Sequence, residues 1–177
     1  MAAQPQTFQQ ESRNISQAIL PEFDQEMANT RKSLERVPED KLSFKPHTKS
    51  MALGALATHV ATINQWAEAI FGQESFDVST VPPNPELKSR GELLAAFDKS
   101  TSTARKAIAD STDDHFMKPW TLKAGDNTIF TLPRVAVVRS FLLNHGIHHR
   151  AQLGVYLRLN DIPVPSIYGP SADEGNM

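Results

Sequence analysis

An all-α fold, a four-helix bundle, is what this sequence predicts, and three observations predict it. Four long segments carry apolar residues at helical spacing. Proline-rich or polar breaks separate them. Only one stretch, just before the last helix, has the look of strands, a short candidate β-hairpin.

The first helix is expected from about Glu11 to Arg36. Ser16, Leu20, Phe23, Met27 and Leu34 fall on one arc at 100° per residue. Pro21 interrupts the pattern, so either the helix kinks or Pro21 opens it after a short turn. Val37-Pro38 closes it, and a loop follows to Lys49. The second helix is expected from Ser50, a plausible N-cap, to Phe71, with Gly72 as its stop. His59 sits at the centre of its apolar face, with Ala52, Ala55, Leu56, Ile63, Trp66 and Ile70 around it. Residues 73–85 hold three prolines and read as a loop. The third helix is expected from Glu86 to Ser111, with Leu87, Leu94, Phe97, Thr101, Ala104 and Ile108 as its stripe. Trp120-Thr121-Leu122 and Thr128-Ile129-Phe130 flank Ala124-Gly125-Asp126-Asn127, which resembles two short strands around a turn. The fourth helix is expected from Leu132 to Leu159, with Pro133 in its first turn and Asn160-Asp161 at its end. Residues 161–177 read as an irregular tail.

Bulk numbers bound the function. The 177 residues fit one domain, 1–177, whose bundle core spans about 10–160. A core of this size buries roughly 70% of the unfolded surface, so no staple is required. There is no cysteine, which excludes disulfides, thiolate metal sites and a cysteine nucleophile. Net charge is −2 with the charges interspersed, so the basic footprint of nucleic-acid binding is missing. No apolar run reaches the ~20 residues of a membrane span. Met1 to Gln6 lack the pattern of a signal peptide. A cytoplasmic location is the expectation.

Three of the six histidines lie in one turn, Asn144-His145-Gly146-Ile147-His148-His149-Arg150. His145 and His149 are four apart and share a helix face. Two neutral rings in an apolar core leave lone pairs to satisfy, and an unpaired buried polar group costs roughly 1–3 kcal/mol. A shared metal satisfies them. With His59 they make a three-nitrogen set with open coordination positions, as in catalytic rather than structural metal sites. Such ligands suit a divalent ion, zinc or nickel first, with iron, cobalt or copper also compatible. His148 is the alternative to His149. Gln152 is placed to hydrogen-bond a ligand ring. Trp66 and Tyr156 read more simply as packing than as a substrate wall and a hydroxyl donor. His47 and His115 read as solvated surface histidines.

Leu53-Gly54-Ala55-Leu56-Ala57-Thr58-His59-Val60 and Asn144 to Arg158, with its His-x3-His run and Arg-x-Gln, resemble the DinB family of metalloenzymes over roughly residues 10–160. The resemblance implies a four-helix bundle with one long crossover and frequent homodimers. It also implies a divalent metal held by His59, His145 and His149. Some relatives transfer groups to low-molecular-weight thiols, and others are linked to stress responses. The expected function is therefore a metal-dependent enzyme, a thiol-dependent transferase or a hydrolase acting on a small molecule. The alternative is a non-catalytic metal or ligand-binding dimer. A third reading is a dimer whose metal only stabilises the fold. On the far side of the last helix, Leu143, Ile147, Ala151 and Gly154, flanked by Val155 and Leu157, form an apolar face. It calls for a cover, either the chain's own terminal segment or a second copy.

Overall fold

A computed structural model describes residues 12–82 and 84–175. The reading of Met1 to Gln6 as no signal peptide, and the expected helix start at Glu11, lie outside them.

Helix α1 (Asn14–Leu34) runs straight through Pro21 without a break in helical assignment. Its stripe is buried as expected at Ser16, Phe23, Met27 and Leu34, and Ile19 joins it. The second predicted helix divides into α2 (Leu53–Thr62), a 3-10 turn at Ile63–Gln65, and α3 (Trp66–Gly72). Ser50 is not its cap; Ala52 is, without a side-chain bond. The third, α4 (Arg90–Asp110), starts four residues later than expected. Ser89 caps it by accepting from the Glu92 amide at 3.1 Å. The pattern Ser89-x-x-Glu92 is a recognisable start signal that the apolar periodicity obscured.

Between α4 and the last helix the chain forms α5 (Asp113–Met117), a single short helix that sequence reading missed. Strands β2 (Pro119–Ala124) and β3 (Asn127–Pro133) then make the expected hairpin, with an irregular register at Leu122/Lys123. Gly125 adopts φ +59° in its turn, a conformation glycine takes without strain. The hairpin gains a third strand, β1 (Ser75–Asp77), which pairs parallel to β2. β1 lies inside the stretch read as a loop. Three residues bounded by turns leave too little periodicity to see.

The last helical rod is α6 (Arg134–Val137), a π-helical segment Val138–Asn144, and α7 (His145–Leu159). Leu132 and Pro133, placed in its first turn from sequence, belong to β3. Arg134 is almost wholly buried. Its guanidinium donates to the Ile70 and Gln73 carbonyls at the end of α3, both at 2.7 Å, and to Pro119 O at 2.9 Å. One cation thus satisfies orphan carbonyls at a helix C-terminus and ties the hairpin to it.

Packing joins the rods into a ring. α1 lies against α4 and α7, and α2 lies against the same two. The core between them is built from Phe23, Leu34, Leu56, Val60, Phe97, Ile108, Leu142 and Leu153, all with 2% exposure or less. The molecule is mostly helical with one small sheet, as predicted.

Candidate metal centre

His59 leaves α2 one turn before the 3-10 break, and His145 opens α7 directly after the π-helical segment. π turns recur at functional sites because the wider turn re-aims the side chains that follow. His145 and His149, one α-turn apart, project from α7 toward His59. The ring centroids are 5.1 Å apart for His59–His145, 4.5 Å for His59–His149 and 4.7 Å for His145–His149. One ring nitrogen from each lies within 4.8 Å of the others. The triad read from the sequence is therefore brought together.

The spacing of one pair of these nitrogens is compatible with a shared divalent ion. His59 Nε2 and His145 Nε2 face each other at 3.3 Å. Two nitrogens bound at about 2.0–2.1 Å to one tetrahedral zinc stand about 3.3–3.4 Å apart. His149 Nδ1 meets Gln152 Oε1 at 2.7 Å. The amide oxygen can only accept, so the proton sits on Nδ1 and the Nε2 lone pair is free to ligate. Gln152 thus has the supporting position read for it. His145 Nδ1 is buried without a hydrogen-bond partner. Burial lowers the pKa of each ring and favours its neutral form, with His149 adding to the effect on His59 and His145. His59 falls furthest, to about 4.

The other candidates sort by geometry. His148 is exposed, beside His149 but outside the converging group. His47 is exposed and accepts from the Lys49 amide. His115 departs from its reading as a solvated residue: it is half-buried, stacks on Phe71 and contacts Phe71 O at 3.1 Å through Nε2. Tyr156 donates to Met51 O and packs edge-on against Phe44, so it serves packing. Trp66 is half-buried between Phe76 and Phe141 and lines a cleft of about 370 Å³ that also reaches His59. Phe141 in turn contacts His145.

The fold has counterparts among solved structures. The model of the DinB family matches residues 8–176. The chain belongs to the DinB family. The match takes in the tail after Asp161, which the sequence motifs alone had placed outside the resemblance. This DinB protein is 24% identical over 160 residues to the uncharacterized protein YrdA of Bacillus subtilis (strain 168), covering 88% of this chain and 89% of that one. A DinB-like protein from Bacillus cereus ATCC 10987 has a similar structure, with TM-score 0.69 at 20% identity, covering 86% of this chain and 97% of that chain. The DinB-like protein YjoA from Bacillus subtilis follows at TM-score 0.67 and 18% identity, covering 86% and 99%. At such identities the likeness concerns the fold.

One further pair belongs near the centre, and sequence reading passed over it. Arg150, next to His149, is 4% exposed and forms an ion pair with Glu26 of α1 at 2.6 Å. It also donates to Glu26 O and Thr30 Oγ1. Tyr168 from the tail accepts from Arg150 at 2.6 Å, donates to Glu26 Oε2 at 2.8 Å, and lies with its ring 5.3 Å from the guanidinium. The signal was available: Glu26 stands between Phe23 and Met27 on the buried arc of α1.

Proposed function

We propose that this DinB protein is a metal-dependent enzyme whose His59, His145 and His149 hold one divalent ion, zinc or nickel foremost. The observation that carries the reading is the convergence of three neutral imidazoles beside a cleft. Among the described residues the group has three members and no fourth. Three protein ligands leave a position for water or substrate, which favours catalysis over a purely structural metal. When bound, such an ion lowers the pKa of a coordinated water or thiol. The reaction class we propose is transfer to a low-molecular-weight thiol, or hydrolysis. The protein's own part is to orient the rings through Gln152, keep them unprotonated by burial, and hold the substrate against Trp66. Elemental analysis of protein purified without an affinity tag, followed by thiol-conjugation and ester-hydrolysis screens, tests this. Protein that carries no divalent ion, and takes up neither zinc nor nickel on equilibration, would sink it.

The pH response has a defined sign. In the unfolded chain His59 titrates near 6.5, and in the fold near 4. Between those values the unfolded chain binds a proton that the folded chain refuses. Stability of the metal-free protein is therefore full above about pH 6.5, falls as pH drops toward about 4, and changes no further below that through this group. A bound ion adds a second loss over the acidic range, because protons compete with it for the rings. The thermal midpoint of the metal-loaded protein should fall more steeply than that of the metal-free protein as pH approaches about 4, where the metal-free His59 ring takes a proton that a metal-bound ring refuses. Metal content that stays flat to well below about pH 4, with free ion removed and the fold intact, would argue against histidine ligation.

We also propose a two-fold homodimer formed through α7. The predicted outer face is partly used within the chain: Leu143 and Leu157 are buried in the core, and a Cβ at Gly154 would lie 3.8 Å from Val164 of the tail. Val155 and Leu159 remain 58% and 54% exposed, beside an apolar groove that includes Ile147 and Ala151. Two-fold pairing buries such a patch against itself. Light scattering at micromolar concentration should give the dimer mass, and Ile147→Asp should give the monomer. A monomeric parent protein, or a dimer indifferent to Ile147→Asp, would show that the face has another role.

A further inference from the structure

We propose that the cleft beside His59 takes a small organic cation: a molecule with its reacting group at one end and an amine at the other, joined by an apolar or aromatic body. The inference rests on the triad being the reacting centre, since His59 belongs to both. The cleft, about 370 Å³, is in the size range of small-molecule sites. Its apolar lining comes from Ile63, Trp66, Phe76 and Val78. Trp66 and Phe76 meet edge to face at 5.1 Å. Aromatic faces attract cations through their quadrupole, Trp most strongly.

The described lining carries negative charge and no permanent positive charge. Among the described lining residues Glu68 is the single carboxylate, and no Lys or Arg is present. Asn84 Nδ2 donates to Gln65 Oε1 at 3.3 Å, which leaves the Asn84 oxygen as an acceptor and the Gln65 amide nitrogen as a donor. An ammonium here meets a carboxylate, an amide oxygen and aromatic rings. A carboxylate or phosphate would meet Glu68 with no cation to offset it. Position sets the length. Glu68, exposed on α3, follows His59 by nine residues across α2, the 3-10 turn and α3, roughly 13–15 Å by helical rise. A ligand spanning from the triad to Glu68 therefore needs an extended body, with its charge at the end remote from the histidines.

Three probes of one shape and different charge test this: 4-phenylbutylamine, 4-phenylbutanol and 4-phenylbutanoate. The primary measurement uses the full chain stripped of metal, because both amine and carboxylate can ligate zinc directly. Ligand-observed NMR gives the affinities. The amine should bind at least about tenfold tighter than the carboxylate, with the alcohol between them. Glu68→Gln should bring that ratio close to one. Trp66→Ala should weaken all three. Equal or tighter binding of the carboxylate, an unchanged ratio in Glu68→Gln, or no saturable binding up to about 10 mM would overturn the proposal. The metal reading stands or falls on a separate measurement, zinc or nickel content, and repeating the series with zinc-loaded protein separates the two outcomes.

Discussion

Replacing Arg150 by methionine should destabilise the protein by about 3–5 kcal/mol, the cost of leaving a buried partner charge uncompensated. Glu26 is only 7% exposed. Without the guanidinium, its carboxylate keeps one side-chain bond, from Tyr168. Thermal unfolding should shift down by roughly 10 °C for a chain of this length. The double replacement Glu26→Leu with Arg150→Met should recover most of the loss, since an apolar pair of similar volume avoids desolvating two charges. A single-variant cost under about 1 kcal/mol would mean that water reaches Glu26 and that the pair contributes as a surface ion pair does. The consequence extends to the site. Arg150 pins α7 to α1 one residue beyond His149, so its loss should also loosen the ring positions.

Replacing both His145 and His149 by alanine should abolish divalent-metal binding, and replacing either one, or His59, should lower affinity at least about tenfold. The fold should survive, because the rings are half-buried and the apolar core is built without them. Removing the rings also removes two buried imidazoles whose pKa the fold lowers, and with them the contact of His145 Nε2 on His59 Nε2 at 3.3 Å. The metal-free double variant is therefore expected to lose less stability on acidification than the metal-free parent. Equilibrium dialysis against zinc and nickel, with unfolding curves on the same samples, reads both effects. Full metal occupancy in the double variant would end the triad assignment. Gln152→Ala is the graded companion: it frees the His149 tautomer without removing a ligand and should weaken binding less than losing the ring.

What is legible in the sequence alone has a common physical origin. The four helical rods were visible because apolar residues repeat every three to four positions over twenty residues or more, and local geometry turns that repeat into one buried stripe. His145 and His149 were visible because i, i+4 residues share a face wherever the helix lies. His59 was visible because it sits at the centre of an apolar arc. The hairpin was visible through Gly125, which its turn requires. Each of these depends on neighbours within one segment. The 3-10 break at Ile63–Gln65, the π-helical segment before His145, and β1 were hidden, because each is a local departure that only the packing of distant elements makes favourable.

Tertiary contact decided the rest. Arg150 and Arg158 looked alike on the sequence of α7, two cations interrupting an apolar face. Arg158 is exposed and pairs with Asp173 of the tail. Arg150 is buried against Glu26, 124 residues away. Charge alone cannot tell the two apart, because the cost or gain of burying a cation depends on which carboxylate the fold delivers to it. The same holds for His115, which reads as a loop residue until Phe71 is placed under it. The cleft is the clearest case. Glu68, Trp66, Phe76 and Asn84 carry no shared spacing, and they line one space only because β1 and the loop after it fold back over α3 beside His59. The histidine triad was thus written into helical periodicity, while the room beside it, and the charge that room presents, arise only from long-range packing.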